Sequence, residues 1–206
     1  MLRTNLTFLS FIEAFYQEQD PDRNIVLKSF PAGFRFVEQG EKIRNIYIVN
    51  DGITKCFISE ENGKDFIIEF LGKGEVVGEL EAIKKIDCLC NVEAISDVTA
   101  YAIPDHFFFK LIEDNPAFTK ILLQELSTRI IQTSSRASFQ QLYTLEYGLI
   151  KLLKLQTEEH VSISKEDMAA YLGISVRSFN RALHQLKAKN TFENDDNLKK
   201  LLSRLS

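Results

Sequence analysis

The residues best suited to chemistry lie towards the C-terminal end of the chain. Ser164 stands three positions before Asp167, Gly173 follows Tyr171-Leu172, and Ser175 opens a run holding Val176, Arg177, Ser178, Asn180 and Arg181. An arginine can donate two parallel hydrogen bonds to the major-groove edge of guanine, and serine or lysine donors can hold phosphates. The pattern predicts two helices. Ser164 and Asp167 form a capping-box pattern that opens the first, with Met168, Tyr171 and Leu172 on one face. Gly173 ends it, because a tight turn there needs the left-handed conformation that glycine adopts at little cost. Ser175 caps the second helix, which turns Phe179, Leu183 and Leu186 inward and Val176, Arg177, Asn180, Arg181 and His184 outward. Helix, glycine turn and arginine-bearing second helix make up the helix-turn-helix design. The candidate DNA-binding residues are therefore Arg177, Ser178, Asn180 and Arg181 near bases, with Val176 beside them, and Lys165 and Ser175 near phosphate. The competing reading is a helical hairpin that only packs; the capped first helix, the glycine turn and the outward arginines weigh against it.

The other reactive side chains are few and scattered. Cys56, Cys88 and Cys90 are an odd set, Cys88 and Cys90 lack zinc-ligand spacing, and reduced thiols with a packing role are expected. The histidines, His106, His160 and His184, fall on none of the β-rich segments, so a metal-dependent jelly-roll enzyme is not expected. No paired catalytic constellation is visible. Neither catalysis nor a metal or fixed cofactor is expected.

These residues need elements to position them. The 206 residues, 45% of them hydrophobic and 26% charged, suit two small domains with real cores. Leu6, Leu9, Ile12 and Phe15 recur at helical spacing. From about residue 24 to 104, short β-branched and aromatic runs alternate with single glycines, which reads as an antiparallel jelly roll. Asp114-Asn115-Pro116 then starts a long helix. Its series Leu123, Leu126, Ile130, Thr133 and Ala137 suits pairing with a second copy, or else coverage of the roll's own core. After Thr191-Phe192-Glu193, room for only a reduced β wing remains, because Leu198, Leu201, Leu202 and Leu205 have helical spacing. The expected class is thus α+β: a jelly roll over 1–115, a long helix over 116–145 and a helix-turn-helix domain over 146–206, which the family resemblance below casts as sensor, dimerisation helix and DNA-binding domain.

Charge follows this division. The chain carries 25 basic and 29 acidic residues, yet residues 161–206 hold eight basic against five acidic. A basic module behind an acidic body fits contact with phosphate by one module alone. Apolar runs stop well short of a membrane span and no export signal opens the chain, so a cytoplasmic location without membrane contact is expected.

Three glycine-marked segments, Glu38-Gln39-Gly40-Glu41-Lys42, Ile46 to Gly52 and Gly74 to Leu80, resemble the strands of the cyclic-nucleotide-binding β-roll in order and spacing. Together with Asp114-Asn115-Pro116 and residues 161–189, they make the chain similar to the Crp–Fnr superfamily of bacterial transcription regulators over nearly its whole length. That resemblance implies a homodimer on a near-palindromic double-stranded DNA site, RNA polymerase as a partner, and a β-roll that senses a small molecule or a protein partner. The alternative within it is a ligand sensor that acts through protein contact without reading DNA.

The resemblance also implies site residues. Within Gly78-Glu79-Leu80, relatives use the Glu for a ribose hydroxyl, and a Thr-Ser pair on the long helix, here Thr133 and Ser134, meets the base. Relatives hold the phosphate with an Arg-Ser pair, which falls on Cys88 and Leu89. A buried phosphate without a cationic partner forfeits charge-assisted bonds of roughly 1.5–3 kcal/mol each, so an effector other than cyclic AMP, or none, is expected. In the recognition helix, Arg177 replaces the usual Glu, which shifts the expected base preference towards guanine.

Overall fold

The computed structural model describes residues 2–18 and 24–188. The expectations for the wing and the leucine helix, and the part of the third domain beyond 188, lie outside the described residues. The chain is a mixed α+β protein. Its strands are β1 (Leu2–Arg3), β2 (Val26–Phe30), β3 (Arg35–Val37), β4 (Asn45–Asp51), β5 (Thr54–Ser59), β6 (Asp65–Leu71), β7 (Val76–Val77), β8 (Asn91–Ala94) and β9 (Val98–Pro104). The helices are α1 (Leu6–Glu18), α2 (Glu79–Lys84), α3 (Asp105–Asp114), α4 (Pro116–Leu142), α5 (Leu145–Glu158), α6 (Lys165–Leu172) and α7 (Val176–Ala188).

Two sheets form the roll, one ordered β1-β6-β5-β8-β3 and the other β2-β9-β4-β7. Antiparallel pairing dominates, as expected, with one departure: β1 joins β6 in parallel, Leu2 opposite Phe70. Side-chain alternation explains why these strands read as nearly continuous apolar runs. On β4, Tyr47 and Val49 turn into the space between the sheets, while Ile46 and Ile48 turn outward beneath α1, α3 and α4. On β5 and β6, Phe57 and Ile67 instead face α5, α6 and α7, joining Leu149, Leu152, Met168, Phe179 and Leu183 in one core. The strands are covered on both faces, so the roll and the C-terminal helices share buried apolar surface.

Helix boundaries follow the capping chemistry. Asn115 accepts a 3.0 Å hydrogen bond from the Phe118 amide, with Pro116 in the first turn of α4. The long helix ends at Leu142, short of 145, because Thr144 caps a new helix, α5. Phe118 and Leu122 bury against the roll, whereas Leu123 and Ile130 are 59% and 68% exposed. The stripe on α4 is therefore divided: Leu126 packs against the roll's core, while Leu123 and Ile130 do not.

Candidate functional site

Ser164 Oγ accepts from the Asp167 amide at 2.9 Å, and Gly173 ends α6 at φ 69°. The capping box is half formed. The Asp167 carboxylate does not return to the Ser164 amide; it accepts from Lys55 on β5 at 2.7 Å. Ser175 caps α7 by accepting from the Ser178 amide at 3.1 Å, and its hydroxyl also donates to Ser178 Oγ. Phe179, Leu183 and Leu186 are buried. On the opposite face Arg177, Arg181 and His184 are exposed, with Ser178 and Asn180 half-buried. Val176 departs from its expected outward position, packing partly buried against the core shared with the roll. Lys165, in the first turn of α6, is half-buried. Among the described residues the arginine-bearing face is thus left exposed, with Arg177 and Arg181 four positions apart along α7.

The second candidate site is a cavity of about 140 Å³ inside the roll, with Gly78, Glu79, Leu80, Leu89, Cys56 and Cys90 among its walls. Gly78 adopts φ 91°, where a Cβ would press on Ile43, and this sharp turn delivers Glu79 into the interior at the start of α2. Glu79 already has a partner, accepting from Arg129 Nη1 of α4. Arg129 Nη2 also donates to the Val76 carbonyl at 2.9 Å and lies 3.5 Å from Glu75 and 3.6 Å from Glu125. One cation therefore faces three buried carboxylates. Burial pushes the Glu79 carboxyl up, against the pull of Arg129. Glu75 is pushed up to about 7, by burial first and then by the charge of Glu125. For Arg129, burial opposes the charge, but Glu79, Glu75 and Glu125 outweigh it.

The remaining ligand candidates do not converge on this cavity. Thr133 Oγ1 accepts from Arg3 Nη2 at 2.9 Å, and Ser134 lines a separate cleft between α4, α5 and α6. Neither is among the walls of the Glu79 cavity; Arg3, which meets Thr133 and lies buried 3.4 Å from Glu69, is one of them. Cys88 is buried in the core between the sheets, and only Leu89 of the expected phosphate pair reaches the cavity. Lys84 and Lys85 are exposed at the end of α2. Among the described residues, no group of acidic, Cys or His side chains forms a metal-binding cluster.

Two functional features were not foreseen from sequence. Arg129 lay in a stretch read for its apolar spacing; the buried glutamates of Gly74 to Leu80 were the signal that a cation had to face them. The second is the seam between roll and helix-turn-helix. Arg136 Nη2 donates to the carbonyls of Ile67 and Tyr171 at 2.8 and 2.9 Å, and Tyr171 donates its hydroxyl to Glu69. A lone Glu69 inside an apolar strand was the available clue.

Residues 27–115 match the family model of the cyclic nucleotide-binding domain. The chain is 25% identical over 161 residues to the cyclic AMP receptor protein of Thermus thermophilus, covering 76% of this chain and 74% of that protein. It is 23% identical over 175 residues to the cAMP-activated global transcriptional regulator CRP of Salmonella typhimurium, covering 80% and 83%. Its fold superposes on the c-di-GMP responsive global regulator CLP of Xanthomonas campestris with a TM-score of 0.75 at 19% identity, covering 88% of this chain and 92% of that one. Fold and site define a cyclic-nucleotide-binding-type β-roll joined through one long helix to a helix-turn-helix. Residues 27–115 carry the cyclic nucleotide-binding domain, and the chain is similar over most of its length to CRP-type transcription regulators.

Proposed function

We propose that this chain is a homodimeric, sequence-specific DNA-binding transcription regulator acting in the cytoplasm, with RNA polymerase as its partner at the promoter and an effector other than cyclic AMP. The observation that carries the reading is the face of α7 left exposed among the described residues. Arg177 and Arg181 are exposed there, Asn180 and Ser178 flank them, and the opposite face is locked into the core by Phe179, Leu183 and Leu186. Lys165 and Ser175, at the starts of the two helices, are placed for phosphate. The exposed apolar stripe of α4 supports pairing of two copies, which would present two recognition helices to one near-palindromic site.

The reading of the effector rests on charge and space. The Glu79 carboxylate that a ribose hydroxyl would need is engaged by Arg129, and no cation occupies the Cys88–Leu89 position. A cavity of about 140 Å³ also falls below the roughly 300 Å³ at which small-molecule sites usually begin. Selection of bound fragments from random duplex DNA, using the full chain, tests the function. Enrichment of a two-fold symmetric motif, with affinity falling steeply as salt rises, is the expected result. Absence of any enriched motif overturns it. A thermal-shift titration with cyclic AMP should leave the melting temperature unmoved.

A further inference from the structure

Two of the three thiols meet inside the roll. Cys56 on β5 and Cys90 just before β8 share a hydrogen bond at an Sγ–Sγ separation of 2.8 Å, against about 2.0 Å in a bonded pair. Both are half-buried and both line the cavity that holds Glu79 and Arg129. Cys90 precedes the ladder between β5 and β8, whose last pair is Phe57 with Asn91, so its sulfur can close on Cys56 without a strand pair being broken. Its segment is nevertheless held: the Leu89 amide donates to Glu81 Oε1 at 3.2 Å, and the Cys88 amide donates to the Glu41 carbonyl at 2.8 Å. Cys88 itself points elsewhere. It is buried in the core between the sheets, away from the Cys56–Cys90 contact.

We propose that Cys56 and Cys90 form a reversible dithiol–disulfide pair, oxidised by a small disulfide of the glutathione class. Cys90, in the loop outside the ladder, attacks one sulfur of the oxidant, loses its proton to solvent and forms a mixed disulfide; the departing thiolate takes up a proton and leaves as one thiol. Cys56 then attacks the Cys90 sulfur, losing its own proton and expelling the second small thiol. One S–S bond is broken and one formed in the protein, two S–H bonds are lost and two gained, and two electrons pass from the protein to the oxidant. The new bond ties β5 to the segment after α2, on the wall of the cavity. Its effect can pass to the helix-turn-helix through β5, since Lys55, the neighbour of Cys56 on the opposite face, is the residue paired with Asp167.

The test uses the full chain equilibrated in graded ratios of reduced to oxidised glutathione, acid-quenched, denatured and alkylated with N-ethylmaleimide. Intact mass and peptide mapping are then read. The expected result is a transition from three alkylated cysteines to one, with Cys88 alone labelled and a Cys56–Cys90 cross-linked peptide that dithiothreitol dissolves. Cys88→Ser should keep the transition, while Cys90→Ser should replace it with a glutathione adduct or with none. Three labelled cysteines at every ratio, stable mixed disulfides on the unaltered chain, or a cross-link that includes Cys88 would each overturn the proposal. The peptide map of the unaltered chain decides the matter even if a variant folds poorly.

Discussion

Lys55 on the roll and Asp167 on α6 form a 2.7 Å ion pair across the seam between the two halves of the chain. Lys55 also lies 2.9 Å from Glu93, so one ammonium bridges two carboxylates from different elements. The side chains are only 15% and 19% exposed, which lifts the pair above a solvent-screened contact. Burial opposes the charge on Lys55, but its bonds to Asp167 and Glu93 more than offset this and raise its pKa. Asp167→Asn leaves the cap intact, since the cap uses the Asp167 amide and not its side chain. A double-mutant cycle of Lys55→Met with Asp167→Asn, read by urea unfolding, should give a coupling of about 1–2 kcal/mol. A coupling near zero would mean that apolar burial alone holds the seam.

Gly74 is the most constrained glycine near the Glu79 cavity. It has φ 81°, and a Cβ there would sit 1.8 Å from the carbonyl oxygen of Asn5. Asn5 has no freedom to retreat: its Oδ1 accepts from the Phe8 amide at 2.9 Å and its Nδ2 donates to Glu125. Gly74→Ala should destabilise the chain by about 3 kcal/mol or more, combining left-handed strain with displacement of the α1 cap. Gly63→Ala is the comparison, because φ there is also positive, at 74°, but no atom lies within 4 Å. Strain alone should cost about 1–2 kcal/mol at that position. Chemical denaturation of both variants checks the difference.

Glu75 makes stability depend on pH in a stated direction. Below its ordinary value of about 4.5, the folded and unfolded states both hold the proton. Between there and about 7 the unfolded chain ionises while the folded one does not, so stability falls as pH rises and then levels off. By the usual 1.36 kcal/mol per pKa unit, the loss is roughly 3 kcal/mol. Glu75→Gln should therefore be more stable than the unaltered chain at pH 8, with the gap closing towards pH 4.5. Urea midpoints at the two pH values measure it, and equal gaps at both would remove the assignment.

Ile130 and Leu123 are exposed on one side of α4 while Leu122 and Glu125 are buried on the other. If a second copy covers the exposed side, Ile130→Glu places two carboxylates in an apolar seam and should shift the chain from dimer to monomer. The change should be at least tenfold in the dissociation constant by sedimentation equilibrium. Unfolding of the separated chain should be little changed, since Ile130 touches no core.

Much of this was legible from residue order alone. Ser164, Gly173 and Ser175 each act through a local backbone preference, so their caps and turn could be read without a third dimension. The strands could be read for the same reason, although β1 could not: two residues carry no period, and its parallel partner β6 is distant in sequence. Helix α2 was hidden because Glu79 to Lys84 follows directly on a glycine-marked strand, and the turn at Gly78 decides its direction. Arg129 was hidden for a different reason. Whether a helical arginine faces water or three buried carboxylates depends on how α4 lies on the roll, and spacing along one helix does not contain that information. The same limit explains why Thr133 and Ser134 were grouped with Glu79, when Arg3 claims the first and a separate cleft the second.

Arg177 is the sharpest test of DNA recognition. It sits in the first turn of α7, where helix N-termini meet base edges in helix-turn-helix complexes, and it is exposed while the next turn offers Arg181. A bidentate arginine–guanine contact discriminates by about 1–3 kcal/mol. Arg177→Ala should therefore relax preference at one base pair in each half-site while retaining most of the salt dependence, since the phosphate contacts proposed for Lys165 and Ser175 would be untouched. Lys165→Ala should do the reverse, weakening all sequences evenly and lowering the salt slope by about one. The two variants, compared in the same binding-site selection and salt titration, separate base reading from phosphate holding. Unchanged discrimination in Arg177→Ala would move the specificity to Arg181 and Asn180.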